Sequence, residues 1–498
     1  MSEAKKQIVP NASNTYCNPL SIPNIPYGYD ERMIKEKGMF DLSDLAPDDF
    51  PAHRSISDPT VFFHDNKWYL YPSYGMAWVT EDFIHWKHHK TTPYCPKYSP
   101  CITKWKDKFL ITSWFSPLYA AKTPLGPFEL LGDFILPDGT HFTPCDPAIF
   151  TDDDGRIYLY AFDYDELDGS GIHFGFTAGY ELDKDNPRQV VNGPERVFTM
   201  NPQENWWERN GFDNQDTRFG WVEGVHMLKY KGRYYCIYAT PGTSFGSYSM
   251  AVYYSDEGPL SGFKCQKKNP LTFNRHGIVS GAGHGCVEVG PNDTLWAFYT
   301  IAATMKHQYE RRIGMDLVAV DENGELYCPH GVTDTPQYAP GYTDNPLENN
   351  SPGYLPLNIH YRPTSTSNKE GREPLYACDG SNLTYWEPEE TDTKPTLTCS
   401  LNVPYYVGAV RLFWQENGLD YSRGIVPGPI KYMLEGHWQG TWTKLYDNLD
   451  ENEELNIDYK TFEPFSCDKV KITILEKPKG VNVGIRDFTV FGVRDMVR

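Results

Sequence analysis

The chain has little of what membrane insertion, export or nucleic-acid binding requires. No run approaches 18 consecutive apolar residues, so no membrane-spanning helix is predicted. The opening MSEAKKQIVPNASN lacks the apolar core of a secretory leader. On these grounds the chain is expected to be soluble and cytoplasmic, with no membrane partner; a mature secreted or periplasmic form whose leader has been removed stays open. Positive charge is also scarce: 46 Lys and Arg stand against 66 Asp and Glu, a net charge of −20. Phosphate-backbone affinity comes from cations replacing counterions, so nucleic acid is not an expected partner, whereas a neutral ligand such as a sugar is compatible. The 11 cysteines are odd in number, form no CxxC pair and in several cases (Cys236, Cys286, Cys399) fall inside strand-like runs. They are read as reduced core residues and not as a disulfide framework.

Aromatic residues are abundant, at 15%, alongside 41 Gly and 39 Pro, a composition suited to many short strands joined by many turns. That points to an all-β chain, and 498 residues are too many for one ordinary core, so two domains are expected. One pattern recurs five times: SDPTVFFHDNKWYLYPS from 57, YSPCITKWKDKFLITSW from 98, CDPAIFTDDDGRIYLYAF from 145, VEGVHMLKYKGRYYCIYA from 222 and GHGCVEVGPNDTLWAFYT from 283. Each unit is a special residue, an apolar strand, a polar turn and an aromatic strand. Aligned on their first position, the special residues are Asp58, Ser99, Asp146, Glu223 and His284. The spacings leave room for four strands per unit, which predicts a five-bladed β-propeller. Innermost strands of a propeller line one axis, so Asp58, Asp146 and Glu223 are expected to converge in one pocket.

Three carboxylates in a partly desolvated pocket push at least one pKa upward, which serves a reaction that needs an acid and a base at one pH. Glycosidic cleavage is such a reaction. Taken singly, Asp58 and Asp146 before their prolines would be turn residues. Glu223 resists that account, because Glu caps turns poorly and its flanks, Trp221-Val222 and Gly224-Val225, are apolar or small.

Asp58, Asp146 and Glu223 in these settings, with EGVHMLKYKGRYYCIYA, resemble glycoside hydrolase family 43, five-bladed propeller arabinofuranosidases, xylosidases and arabinanases. The resemblance covers about residues 15 to 330. It implies an inverting mechanism with Asp58 as general base, Glu223 as general acid and Asp146 tuning and orienting that acid. It further implies sugar contacts from Tyr98, from Thr243 in ATPGTSFG, and from Arg311 or Arg312 in ERRIGMD, between which register does not decide. Cys145 departs from the aromatic residue common before the second Asp. The resemblance also implies a cation, commonly calcium, held through waters near His284; calcium prefers oxygen donors, and the bland alternative is a satisfied core histidine. No organic cofactor is expected. Asp152-Asp153-Asp154-Gly155 looks like a calcium loop but lacks the closing Glu of one, and a hairpin turn accounts for it better.

The expected organisation is a catalytic propeller over residues 1–335, a Pro- and Asn-rich linker over 336–365, and a β-sandwich or jelly roll over 366–498. In that last region ACDGSNLTYWEP, VGAVRLFW, PIKYMLEGHWQGTWTKL and IRDFTVFG resemble the coagulation factor 5/8 type C, or discoidin-like, domain, which implies a possible carbohydrate-binding module. The expected partner is an oligosaccharide or polysaccharide, and oligomeric state is not legible. The expected activity is exo-acting release of a terminal pentose or furanose by an α-L-arabinofuranosidase or β-xylosidase. β-Galactofuranosidase and endo-arabinanase stay open within the family, as does a non-catalytic glycan-binding propeller outside it.

Overall fold

In a computed structural model of the protein, which describes residues 7–24, 55–73, 76–91, 98–164, 173–304, 310–359, 361–420 and 423–496, the first repeat forms as the hairpin Thr60–His64 with Lys67–Tyr71. Asp65 and Asn66 between them both take left-handed φ, 50° and 59°, the geometry of a two-residue turn that matches strand twist. Met76–Thr80 and Trp86–Lys90 complete a four-stranded antiparallel sheet. The other four repeats each open a sheet of the same order, whose innermost strands are Cys101–Trp105, Ala148–Thr151, Glu223–Tyr230 and Ser280–Gly290. These five sheets are the blades of the propeller, numbered 1 to 5 in chain order, and they fall in one compact unit, Arg54–Thr333. Blade 3 carries a fifth strand, Phe219–Gly220, at the end of the 201–220 insertion.

The seams between blades combine apolar packing with side-chain bonds to backbone. Thr60 Oγ1 donates to Pro100 O between blades 1 and 2. The Ile149 amide donates to Cys101 Sγ (3.3 Å) between blades 2 and 3. Asp152 accepts from Lys229 Nζ (2.5 Å) and Tyr234 Oη (2.7 Å) between blades 3 and 4. The Gln266 side-chain amide pairs with the Leu326 backbone (2.8 and 3.1 Å) between blades 4 and 5. The Val61 amide donates to Cys286 Sγ (3.2 Å) between blades 5 and 1. Asp152 also turns the chain, its carbonyl accepting from the Gly155 amide (2.9 Å), so the acidic run is a hairpin turn whose first carboxylate clasps the next blade.

Strand pairing fixes the register of the axis. Thr60, Cys101, Ala148 and His226 open the regular ladders of blades 1 to 4, opposite Tyr71, Thr112, Tyr160 and Ile237, and Cys286 is the second residue of that of blade 5, opposite Phe298. The residues two positions earlier are Asp58, Ser99, Asp146, Gly224 and His284, and all five have left-handed φ between 43° and 58°. The fourth axial residue is therefore Gly224, and Glu223 lies one position before the alignment expected from sequence. Two causes are visible. A bulge interrupts the ladder between Glu223 and His226, and a Cβ on Gly224 would lie 2.5 Å from His284 Cδ2, so the His284 imidazole leaves room there for glycine alone.

The second compact unit comprises residues 1–53 with 334–498. Its described lead-in belongs here, where the sequence reading had placed it in the 1–335 unit: Thr15–Tyr16 pairs with Gln337–Tyr338, and Arg411 Nη1 donates to Asn18 O (2.7 Å). The stretch read as a linker supplies short edge strands as well, Leu355–Pro356 and Thr364–Ser365. They are two of the seven strands of an antiparallel sheet whose longest members, Thr396–Asn417 and Ile457–Glu476, are broken by bulges at Ser400/Tyr405 and Val407/Ala409. The core of this β-sandwich region includes Trp386, Trp414, Tyr432 and Phe488. Among the described residues no helix is long and apolar enough to cross a membrane.

Gly224→Ala combines overpacking with a left-handed φ and is expected to destabilise the propeller by roughly 2–4 kcal/mol, read as a lowered midpoint in urea unfolding; an unchanged midpoint would contradict the close approach to His284.

Candidate active site

A non-glycine residue with positive φ is uncommon, and such residues gather at functional sites. Here four of them, Asp58, Ser99, Asp146 and His284, turn inward at the start of their blades. In blades 1 to 3 a proline follows, which bars the residue before it from the right-handed helical region. The Asp-Pro and Ser-Pro dipeptides therefore do serve as turns, and the turn is what delivers the side chain to the axis.

Asp58 is 4% exposed. Its carboxylate is gripped by both terminal nitrogens of Arg311, Nη1 to Oδ1 at 2.9 Å and Nη2 to Oδ2 at 3.1 Å. It also accepts from the hydroxyls of Ser73 (2.7 Å) and Ser57 (2.9 Å), and His284 Nδ1 stands 3.5 Å from Oδ1. Burial pushes this carboxyl upward, but the Arg311 guanidinium, then His284, then the two hydroxyls outweigh it and hold Asp58 below its ordinary value. Asp146, also buried, lacks a guanidinium. Burial raises it and the Asp58 charge adds to the rise, against His284, the Ser99 hydroxyl and the Gly224 amide, and the net displacement is upward. Glu223 is raised too, by burial first and then by the charge of Asp146; His284, Tyr248 and Trp221 oppose this without reversing it. The pocket thus contains one carboxyl held ionised and two pushed toward the protonated form.

Glu223 is oriented through both oxygens. Tyr248 Oη donates to Oε1 at 2.5 Å and Trp221 Nε1 donates to Oε2 at 2.7 Å. Neither partner emerged from the sequence as a ligand of the acid. Trp221 was seen only as a flank, and Tyr248 lies 25 residues downstream, at the end of the 240–249 connection, with no periodic signal to mark it. Arg311 reaches Thr243 Oγ1 (3.1 Å) as well as Asp58, so two of the expected sugar contacts meet beside the base. Alternation along Arg311–Val320 turns Arg312 the other way: it is buried on Glu310 (2.7 Å) and donates to the Arg311 carbonyl (2.7 Å), away from Asp58. Tyr98 is half-buried with its ring centroid 6.3 Å from that of Trp114, which packs at 4.7 Å on the exposed Phe115. Phe115 is tied to the Pro144 carbonyl beside Cys145 (2.8 Å), so an aromatic wall stands near this position although Cys145 itself is not aromatic.

His284 faces protein on both nitrogens, Asp58 at Nδ1 and Ser99 Oγ at Nε2 (3.3 Å). Among the described residues no group of three or more His, Cys, Asp or Glu side chains is arranged to hold a metal ion. Calcium seeks six to eight oxygens, and side chains alone do not supply that set around His284.

A propeller axis that gathers a carboxylate gripped by a guanidinium and two buried carboxyls displaced toward the protonated form has the acid and the base that glycosidic hydrolysis requires; the class is that of the glycoside hydrolases. The sequence pattern of glycosyl hydrolases family 43 matches residues 49–326, more than half of the chain, and the chain belongs to that family. Its enzymes cleave with inversion, and a carbohydrate is the substrate. Among solved structures the fold is similar to a thermostable family-43 glycoside hydrolase (23% identity, 58% of this chain and 97% of that one, TM-score 0.49). It is also similar to xylan β-1,4-xylosidase from Bacillus halodurans C-125 (13%, 96% and 100%, 0.46). A third similar structure is a family 43 arabinoxylan arabinofuranohydrolase from Bacillus subtilis in complex with cellotetraose (14%, 90% and 97%, 0.41). No curated protein matches the chain.

The Tyr248 hydroxyl stabilises the charged form of Glu223, so Tyr248→Phe is expected to move the Glu223 titration further upward. Infrared difference spectra of the carboxyl band across a pH series, with Glu223→Gln to assign it, would show this; a midpoint that stays or falls would exclude the hydrogen bond as a determinant.

Proposed function

We propose that the enzyme releases terminal arabinofuranosyl or xylosyl residues from plant-type glycans, with Asp58 as general base, Glu223 as general acid and Asp146 as the residue that keeps the acid protonated. The observation that carries the assignment is the unequal company of two buried carboxyls: Asp58 is gripped at two points by the Arg311 guanidinium and Glu223 is held only by the Tyr248 hydroxyl and the Trp221 indole, which displaces Asp58 down and leaves Glu223 up, under burial and the Asp146 charge. Between the two displaced values Asp58 is ionised while Glu223 holds its proton. Asp58 takes a proton from water as the water oxygen attacks the anomeric carbon, and Glu223 gives its proton to the departing glycosidic oxygen on the other face of the sugar. The C–O bond to the leaving group breaks as the new one forms, and the anomeric centre inverts.

Arg311 has two tasks in this scheme. Its bidentate grip fixes the base and keeps it charged, and its Nη1 also orients Thr243 at the edge of the pocket. Tyr248 and Trp221 hold the acid's two oxygens in place, so proton transfer needs no rotation of the carboxyl. For the C-terminal unit we retain the discoidin-like assignment as a proposal, supported by its bulged antiparallel sheet around Trp386 and Trp414.

On nitrophenyl arabinofuranoside and xyloside, Glu223→Gln is expected to lower kcat by about 10²–10⁴-fold, less on a dinitrophenyl glycoside whose leaving group needs no proton, whereas Asp58→Asn is expected to be impaired on both. Equal rates for wild type and Glu223→Gln on the poorer leaving group would remove Glu223 from the role. Arg311→Met takes away the strongest influence lowering Asp58, so the acid limb of the pH–rate profile, set by protonation of the base, is expected to move to higher pH; an unmoved limb would detach that limb from Asp58.

A further inference from the structure

The 201–220 insertion between blades 3 and 4 takes no part in the acid–base scheme, yet it is built with care. Its short helix Trp206–Glu208 is pinned by a fully buried Glu208, which accepts from the Tyr238 hydroxyl and from the Asn201 amide (2.5 Å). Trp207 Nε1 donates to Tyr238 Oη (3.2 Å), and the Asn214 side chain closes back on the carbonyls of Trp207 and Arg209. A segment fixed in this way nevertheless presents two large apolar rings to solvent, Trp206 at 38% and Phe212 at 39% exposure.

The two rings sit at the ends of a continuous path. Trp206 stands edge-on to Phe273, with centroids 5.1 Å apart and planes at 88°, and both line an open cleft of about 400 Å³ along the outer edges of blades 4 and 5. The Arg275 guanidinium lies over Phe273 at 5.5 Å and donates to Asn214 of the insertion (2.8 Å). Next comes Phe212, 6.1 Å from the His276 ring and packed so closely on Gly246 that a Cβ there would lie 3.1 Å from the Phe212 ring. Gly246 belongs to the same 240–249 connection as Tyr248, whose hydroxyl holds the acid Glu223 (2.5 Å). Aromatic rings therefore lie between the connection that orients the acid and the cleft.

We propose that Phe212, Phe273 and Trp206 form a platform for the chain on the leaving-group side of the cleaved bond, and that the natural substrate is an extended, uncharged polysaccharide or long oligosaccharide. The proposal rests on the catalytic assignment of Asp58 and Glu223. Sugar rings present apolar C–H faces that pack on aromatic rings, and a preformed platform avoids the ordering cost of a mobile one. Charge argues for a neutral occupant. The chain carries −20 overall, and the cations along the path are occupied, Lys268 over Tyr327 (4.1 Å) and near Asp321 (3.4 Å), and Arg275 within 4.0 Å of Asp213.

The test uses the full chain with Trp206→Ala and Phe212→Ala, assayed on nitrophenyl arabinofuranoside and xyloside, on neutral arabinoxylan and arabinan, and on polygalacturonate as the anionic control. Both variants are expected to keep kcat/KM on the small glycosides within about twofold, which also reports that they fold, and to lose tenfold or more on a neutral polysaccharide; Trp206→Tyr, which restores a ring, is expected to recover most of that loss. Polysaccharide activity that falls no further than small-glycoside activity, or does not fall, would overturn the platform. In native gels cast with arabinoxylan, Glu223→Gln is expected to be retarded and Glu223→Gln with Trp206→Ala to migrate freely. Equal migration of the two would overturn the platform, as would stronger retardation by polygalacturonate. Retardation reads the platform without catalysis, so a wild type that fails to cleave any small glycoside would defeat the catalytic assignment instead.

Discussion

The buried pair between Arg311 and Asp58 is the interaction on which both ring closure and chemistry depend. Taking a carboxylate and a guanidinium out of water costs several kcal/mol per ion, and their attraction offsets this only with good geometry and with the remaining lone pairs satisfied. Both conditions hold here, through two-point contact and through the Ser57 and Ser73 hydroxyls. Arg311 opens the third strand of blade 5 and Asp58 introduces blade 1, and the Ile56 amide also donates to the Arg311 carbonyl at 3.1 Å. The last and first blades are thus joined at the point where the base is placed. Without that junction Asp58 would lose the strongest influence that holds it ionised, and blades 5 and 1 would lose a link at the axis beside that of Val61 to Cys286.

One satisfied carboxylate sets the state of its neighbours. Arg311 spends its two terminal nitrogens on Asp58, which leaves Asp146 and Glu223 with neutral donors and with the imidazole of His284. Neutral hydroxyl, indole and amide donors orient a carboxyl without supplying the charge that would hold it fully ionised. The asymmetry between base and acid is therefore a matter of where the single guanidinium goes. Gly224 makes the asymmetry possible in space, since a side chain there would displace His284 from between Asp58 and Ser99.

Much of this was legible from local pattern. Each hairpin joins residues adjacent in the chain, so the alternation in TVFFH and KWYLY and the polar turn between them suffice to announce a blade, and five such signals announce the propeller. Asp58 and Asp146 were legible because Asp-Pro marks the turn that carries them. What escaped depended on contacts between distant segments or on a single residue of register. The bulge after Glu223 shifted the ring position to Gly224, which no alternation rule reveals. The choice between Arg311 and Arg312 needed the facing of a strand whose start was not marked. Tyr248 is found only once blade 4 has folded, and Thr15 meets Tyr338 across more than three hundred residues, so neither carries a signal in its own neighbourhood.

Two free cysteines show how the same scaffold keeps its site in register through hydrogen bonds. Cys101 and Cys286 each lie two residues after an axial turn, those of Ser99 and His284, and each accepts a backbone amide from the next blade. Burial pushes Cys101 up to about 11 and Cys286 well above its ordinary value, so both remain protonated at neutral pH and lack the thiolate that redox and metal chemistry use. As soft acceptors in a dry seam they hold two inner strands against their neighbours. Two residues before each cysteine stands an axial residue, and these two meet, Ser99 Oγ against His284 Nε2. The spacing of the acid–base pocket is thereby fixed by the seams outside it, and a change in thiol size at either position would be felt first at His284, and through His284 at Asp58.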